Sequence, residues 1–213
     1  IDLLEIHGAP DEKRPFSVVL QIPELDTPVL LACERASNSA DAPENLQEAL
    51  TGCQWVLIGE TLLAHGDPLK DYVRLAKILA HDARTLALLD ASTGMWLDRA
   101  TIDGDLLDET IPPPEDLLWR TRVVSTSPEL DSGSAWLFTT GLLRCGIPEL
   151  EMLEVPAARV HDAAQLMDIA AALILESGAP GSEIPLGLGE GIDVVLVPWQ
   201  DAIETLGAES LGS

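Results

Sequence analysis

Basic residues are scarce in this chain: 12 lysines and arginines stand against 36 aspartates and glutamates, a net charge of −24 over 213 residues. A field of that sign repels phosphate backbones and anionic lipid headgroups, so nucleic acid and membrane surfaces are not expected partners. Three meanings remain open for the acidity. It keeps the chain soluble in an acidic proteome, it recognises a protein partner of basic character, or it binds cations through clustered carboxylates. Cysteine is equally sparse. Cys33, Cys53 and Cys145 are odd in number and widely spaced, which suits neither a disulfide framework nor a zinc site. Such usage fits a reducing compartment, and a cytoplasmic location is expected.

Long apolar runs are missing as well. The longest, Ile169 to Leu175, is far too short to span a bilayer. No charged-then-apolar leader precedes the first expected strand, and the opening residue is Ile1, which suits a fragment or a processed chain. Aromatic residues make up only 4% of the chain, so the core should be built from Leu, Ala, Val and Ile. What is present in quantity is apolar: 46% of residues are hydrophobic, which separates this acidic chain from a disordered one. The length supports one large domain or two small ones without staples.

Residues 1–15 read as a loose polar arm. Phe16 to Ile22 and Val29 to Glu34 predict two strands at hairpin separation. The stretch 36–41 reads as a loop, and Pro43 opens a short helix to Leu50. Trp55 to Thr61 predicts a strand. The spacing of Leu69, Tyr72, Val73, Ala76 and Leu79 predicts a helix from Pro68 to about His81, with Asp67 as its N-cap. Leu86 to Asp90 is strand-like and precedes a turn at 92–94, while Asp98 to Glu109 reads as a short surface helix or loop. The prolines at 112–114 suit neither a helix interior nor a central strand, and they mark a boundary.

Beyond the boundary, Leu118 to Ser125 and Leu150 to Val155 predict strands, with a turn from Glu129 to Ser134 between them. Arg159 to Ser177 predicts the longest helix, stopped by Gly178. A glycine-rich flexible loop runs from Ala179 to Gly191, Ile192 to Val197 predicts a strand, and a last helix begins at Trp199. Strands come in runs as well as alternating with helices. The expected class is therefore α+β, with mixed or antiparallel sheets, helices packed on them, and two subdomains, 1–110 and 115–213.

Familiar chemistry is thin. The glycines from Gly187 to Gly191 precede a strand rather than opening a helix, and no Lys-Ser/Thr pair follows, so a phosphate loop does not fit. The acidic run from Asp103 to Glu109 misses the register of a calcium loop, and a solvated acidic face is the simpler reading. His7, His65, His81 and His161 are scattered, with no second His or Cys at helical metal-ligand spacing. No nucleophile elbow occurs, and Cys145 reads as a small buried residue before it reads as a nucleophile. No metal and no cofactor are expected, and no catalytic residue can be assigned.

The segment Trp136 to Glu151 stands apart, because it places Thr, Gly, Arg, Pro and Glu among core-type residues. Thr139, Thr140 and Arg144 would present donors near Gly141 and Gly146, where a ligand can approach the backbone closely. Glu149 and Glu151 would alternate on a strand and share a face. The plainer alternative is a Trp-anchored element with a buried Trp136, a glycine turn, and an ion pair of Arg144 with Glu149 or Glu151.

The run Trp136-x-x-Thr139-x-Gly141-Leu142-x-Arg144-x-Gly146-x-Pro148-Glu149-Leu150-Glu151 resembles a stretch recurring in a bacterial family of unknown function. Many of its members have His directly after the Thr, in the form W-x-x-T-H-G-L; here that position is Thr140, so a role that needs the His is not carried over. Val197-Pro198-Trp199 is also similar, and the resemblance extends loosely over residues 85–200. The family is loosely associated with toxin-immunity and accessory proteins, which implies a cytoplasmic binding protein.

Two functions therefore stand side by side. One is a protein-binding or accessory, immunity-like module whose partner is basic, with Thr139, Thr140, Arg144, Glu149 and Glu151 as the binding residues. The other is a hydrolase with a pocket near 139–151 covered by the glycine-rich loop 187–191. Whether the chain is an enzyme is left open between them, as is its oligomeric state.

Overall fold

The computed structural model describes residues 2–7, 15–23, 25, 27–36, 42–63, 66–82, 84–108, 110, 112–125, 133–178, 184–189, 191–198 and 201, with residues 2–7 and 125 in their backbone only. The protein is α+β: helices accompany several small antiparallel sheets. Its internal contacts divide it into two compact units, Ile1–Pro114 and Glu115–Ser213.

The first unit is built on a four-stranded antiparallel sheet in the order β1-β2-β3-β4. Its strands are β1 (Asp2–His7), β2 (Phe16–Gln21), β3 (Val29–Arg35) and β4 (Trp55–Glu60). The expected loose arm is thus corrected over residues 2–7. That stretch pairs with β2 from Asp2↔Gln21 to His7↔Ser17, so backbone pairing overrides its mixed composition.

Helix α1 (Glu44–Thr51) links β3 to β4, and Pro43 stands at its N-cap. Helix α2 (Pro68–Leu79) is capped by Asp67, whose side chain accepts from the Lys70 amide at 3.0 Å. It seats Leu75 and Ile78 against the sheet core of Ile22, Leu25 and Val29. Gly59 on β4 lets α2 approach closely. A Cβ there would lie 3.0 Å from a Leu75 methyl and 3.1 Å from Leu79.

Strands β5 (Ala87–Asp90) and β6 (Met95–Asp98) form a hairpin. Asp98 caps the following α3 (Arg99–Thr101), accepting from the Thr101 amide and hydroxyl at 2.9 Å each. Those contacts, the amide's first, hold its carboxyl below the usual aspartate range. The chain continues as a π-helical turn over Ile102–Leu107. Ile102 and Leu106 are buried while Asp103 is exposed, so the short helical turn at this surface is anchored by its sparse apolar residues. One acid of the run is used locally: Asp103 pairs with Arg99 at 2.6 Å.

The second unit carries a three-stranded antiparallel sheet in the order β7-β8-β9. These strands are β7 (Arg120–Ser125), β8 (Ser134–Thr140) and β9 (Glu151–Pro156). Helix α4 (Val160–Ser177) lies on one face, where Ala135, Leu137, Val155, Ala163 and Met167 form the core. Gly178, at φ 82°, ends the helix.

The two-residue period of β8 sends Ala135, Leu137 and Thr139 inward and Trp136 to the opposite face. Trp136 is therefore half-buried, which corrects the expectation of a buried anchor; Leu137 holds that place. Strand β9 carries a bulge: Ala135 pairs with Val155 but Leu137 with Met152, so two residues oppose Trp136. Glu154 absorbs the extra residue at φ 54°.

A short hairpin follows, from β10 (Pro185–Gly187) and β11 (Asp193–Val195). It corrects the view of 179–191 as loop throughout. The turn signal at 129–134 and the helix expected from Trp199 fall largely outside the described residues, as does most of the loop expected at 36–41. No helix among the described residues is long and apolar enough to cross a membrane.

Candidate functional site

The connection from β8 to β9 is a short 3-10 helix, Leu142–Cys145, bracketed by two glycines in left-handed conformation, Gly141 at φ 112° and Gly146 at φ 74°. Residues with a Cβ are strained at such angles, which explains the G-x-x-x-x-G spacing. Both ends of the turn need partners for their free backbone groups. At the C-terminal end, the Gly146 amide donates to the Leu143 carbonyl at 3.0 Å and the Ile147 amide to Leu142 at 3.2 Å.

The N-terminal end is closed by Glu149. One carboxylate oxygen accepts from the Gly141 amide at 2.8 Å and the Leu143 amide at 3.1 Å. The other accepts from the Thr139 hydroxyl at 2.8 Å. An ionised acceptor strengthens each of these bonds and suits the positive end of the helical turn. Thr139 is fully buried, and its hydroxyl also accepts from the Leu150 amide at 2.8 Å. The Thr139 amide returns a bond to the Leu150 carbonyl at 2.9 Å. Thr139, Glu149 and Leu150 thus close a ring of satisfied polar groups across the loop.

Arg144 ties the same turn to the start of β7. Its Nη2 donates to the carbonyls of Leu117 at 3.1 Å and Leu118 at 2.9 Å. Glu149, one of the two acids expected to pair with it, is committed to the turn instead. It also lies before β9 rather than on it, so it does not alternate with Glu151 along a strand. Thr140 donates to the Arg120 carbonyl at 3.4 Å, and Glu151 sits opposite Phe138 in the sheet. Of the five residues singled out, the structure joins Thr139 and Glu149 directly and fixes Arg144 to the same turn. Thr140 and Glu151 belong to the neighbouring strands.

What this arrangement does chemically is hold a loop still. The Thr139 hydroxyl is buried and engaged as both donor and acceptor, and both oxygens of Glu149 are occupied. The Cys145 thiol is buried, 4.0 Å from the Gly141 carbonyl. The side chain that the locked turn puts into water is Leu143, at 72% exposure. Sequence reasoning passed over Leu143, since a leucine between two glycines reads as core. It also missed Asp168 of α4, which accepts from the Trp119 indole at 3.2 Å and the Thr121 hydroxyl at 2.8 Å and so pins β7 to the helix. No local pattern marks that pair of contacts.

Glycines 187–191 shape a hairpin turn, with the Leu188 amide donating to Ile192 and the Ile192 amide to Gly189, both at 2.8 Å. Among the described residues, no group of three or more His, Cys, Asp or Glu is placed to hold a metal ion.

Residues 123–213 match the C-terminal domain of a family described as a protein of unknown function, DUF4026. The match takes in the whole Trp136–Glu151 segment and somewhat less than half of the chain. No curated protein and no solved structure matches the chain.

Proposed function

We propose that this protein is a protein-binding module and that the turn between β8 and β9 is its recognition element. The observation that carries the reading is Leu143: a large apolar side chain standing in water on a turn immobilised by Glu149, Thr139 and Arg144. An anchor held rigid before binding loses little conformational freedom on docking. The complementary surface is an apolar pocket with a cationic rim. Glu115 and Asp116 are exposed and directly precede the two carbonyls that hold Arg144, and the net charge of −24 would steer a basic partner toward them. On this reading Thr139, Thr140, Arg144, Glu149 and Glu151 support the surface rather than touch the partner. An accessory, immunity-like role in the cytoplasm is the form that the family resemblance favours.

The reading is preferred over a hydrolase because the polar groups near 139–151 are engaged with each other and with the backbone. The test is capture of partners from the native organism at low salt, release at high salt, and the same capture with Leu143→Asp. The variant should lose the captured protein while keeping its thermal midpoint. Undiminished capture by a folded Leu143→Asp protein would remove Leu143 from the interface.

A further inference from the structure

The sheet order leaves β4 at an edge, with one side paired to β3 from Leu30↔Glu60 to Arg35↔Trp55. No strand pairs with its other side among the described residues. An open edge is a template for another strand, and proteins ordinarily blunt such edges with charge, proline or a bulge. The second unit does so. Strand β7 carries Arg120 and Arg122, and β9 has the bulge at Glu154 and ends on Pro156. Strand β4 has no such protection before its last residue, Glu60, and Val56, Leu57 and Ile58 are 43%, 47% and 41% exposed.

We propose that this edge pairs with β4 of a second copy of the chain, antiparallel, about a two-fold axis through Leu57. The occupant follows from the sequence of the strand itself. Trp55, Leu57 and Gly59 share the face that carries α2, and Val56 and Ile58 share the other. A two-fold axis perpendicular to the sheet keeps like faces together only if it passes through a residue. Through Leu57, it sets Leu57 against the partner's Leu57 and Val56 against the partner's Ile58.

Each of the three exposed apolar side chains then meets an apolar counterpart, the kind of cross-strand pair that stabilises a sheet. Glu60 falls opposite the neutral Gln54. Moving the axis to Ile58 would put Glu60 against Val56, and moving it to Val56 would put Gln54 against Ile58. Leu57 is thus the self-complementary centre.

Charge separates this occupant from a strand of a basic protein. Two copies at −24 repel, so salt should promote their pairing, whereas salt would weaken a basic partner's binding. The experiment uses the full chain with Cys33→Ser and Cys53→Ser, adding one cysteine at a time along β4. Directly opposed residues of an antiparallel pair lie about 4.5–5.5 Å apart at Cα, within the span of a disulfide. Under mild oxidation Leu57→Cys should form a covalent dimer. Val56→Cys and Ile58→Cys should each fail alone and cross-link when mixed. In sedimentation the wild-type dimer fraction should rise with sodium chloride, and Leu57→Lys should abolish it with helical content retained.

Equal cross-linking at all three positions would refute the register. A monomer at every salt concentration, with no selective Leu57→Cys dimer, would refute the pairing. Association that instead falls with salt on adding a lysine-rich strand peptide would assign the edge to a basic partner.

Discussion

Glu149 and Thr139 do the most with the fewest atoms. Removing the carboxylate strands two amides and a buried hydroxyl, so Glu149→Ala should lower stability by about 2–4 kcal/mol, read from urea unfolding. Thr139→Val keeps the shape and leaves the Leu150 amide unpaired, for a loss of about 1–3 kcal/mol. If both variants unfold at the wild-type midpoint, the ring does not hold the turn. Packing at β8 gives a second comparison. Leu137→Ala should cost about 2–5 kcal/mol and exceed Trp136→Ala, because only Leu137 lies wholly within the core. Glu154 supplies the opposite sign. At φ 54° a glycine is relieved of Cβ strain, and Glu154→Gly should raise stability by roughly 1 kcal/mol.

Among the elements, α3 depends on Asp98. The Thr101 amide, and then its hydroxyl, favour the charged form and depress the folded carboxyl below its unfolded value near 3.9. Stabilisation from a depressed acid is fully present above the unfolded value and disappears as pH falls through the folded one. Asp98→Asn should therefore lower stability at neutral pH and flatten the acid limb, converging on wild type below about pH 4. An acid limb identical to wild type would show that the cap does not differ between folded and unfolded states. In α2 the analogous cap, Asp67→Ala, should cost about 1 kcal/mol in thermal or urea melts.

For the molecule as a whole, charge and domain structure make separate predictions. Screening a net charge of −24 relieves self-repulsion, so the thermal midpoint should rise with added sodium chloride. A flat response would mean that the acids are already locally compensated. The division at Pro114 predicts that residues 115–213, expressed alone, unfold cooperatively with the α4 core intact. A fragment without a cooperative transition would show that the units depend on each other for stability.

Much of this was readable from one dimension. Asp67 before Pro68, the stop at Gly178 and the apolar runs of β2 and β3 beside prolines are local signals, because caps, φ preferences and strand propensity act within a few residues. The α+β class followed from them. Only the tertiary structure decided the rest. That β1 joins the sheet depends on pairing across a chain reversal, from Asp2 with Gln21 to His7 with Ser17, and that Ile102 and Leu106 are buried depends on what packs over an acidic run. In the candidate site, the sequence marked Thr139, Arg144 and Glu149 as unusual company for core residues. Their roles were invisible there, because a hydrogen bond from Glu149 to Gly141 or from Arg144 to Leu118 is set by chain reversal and not by spacing. Leu143 makes the same point from the other side. Leucine is buried by composition and exposed here by geometry, since two left-handed glycines and one carboxylate aim it outward.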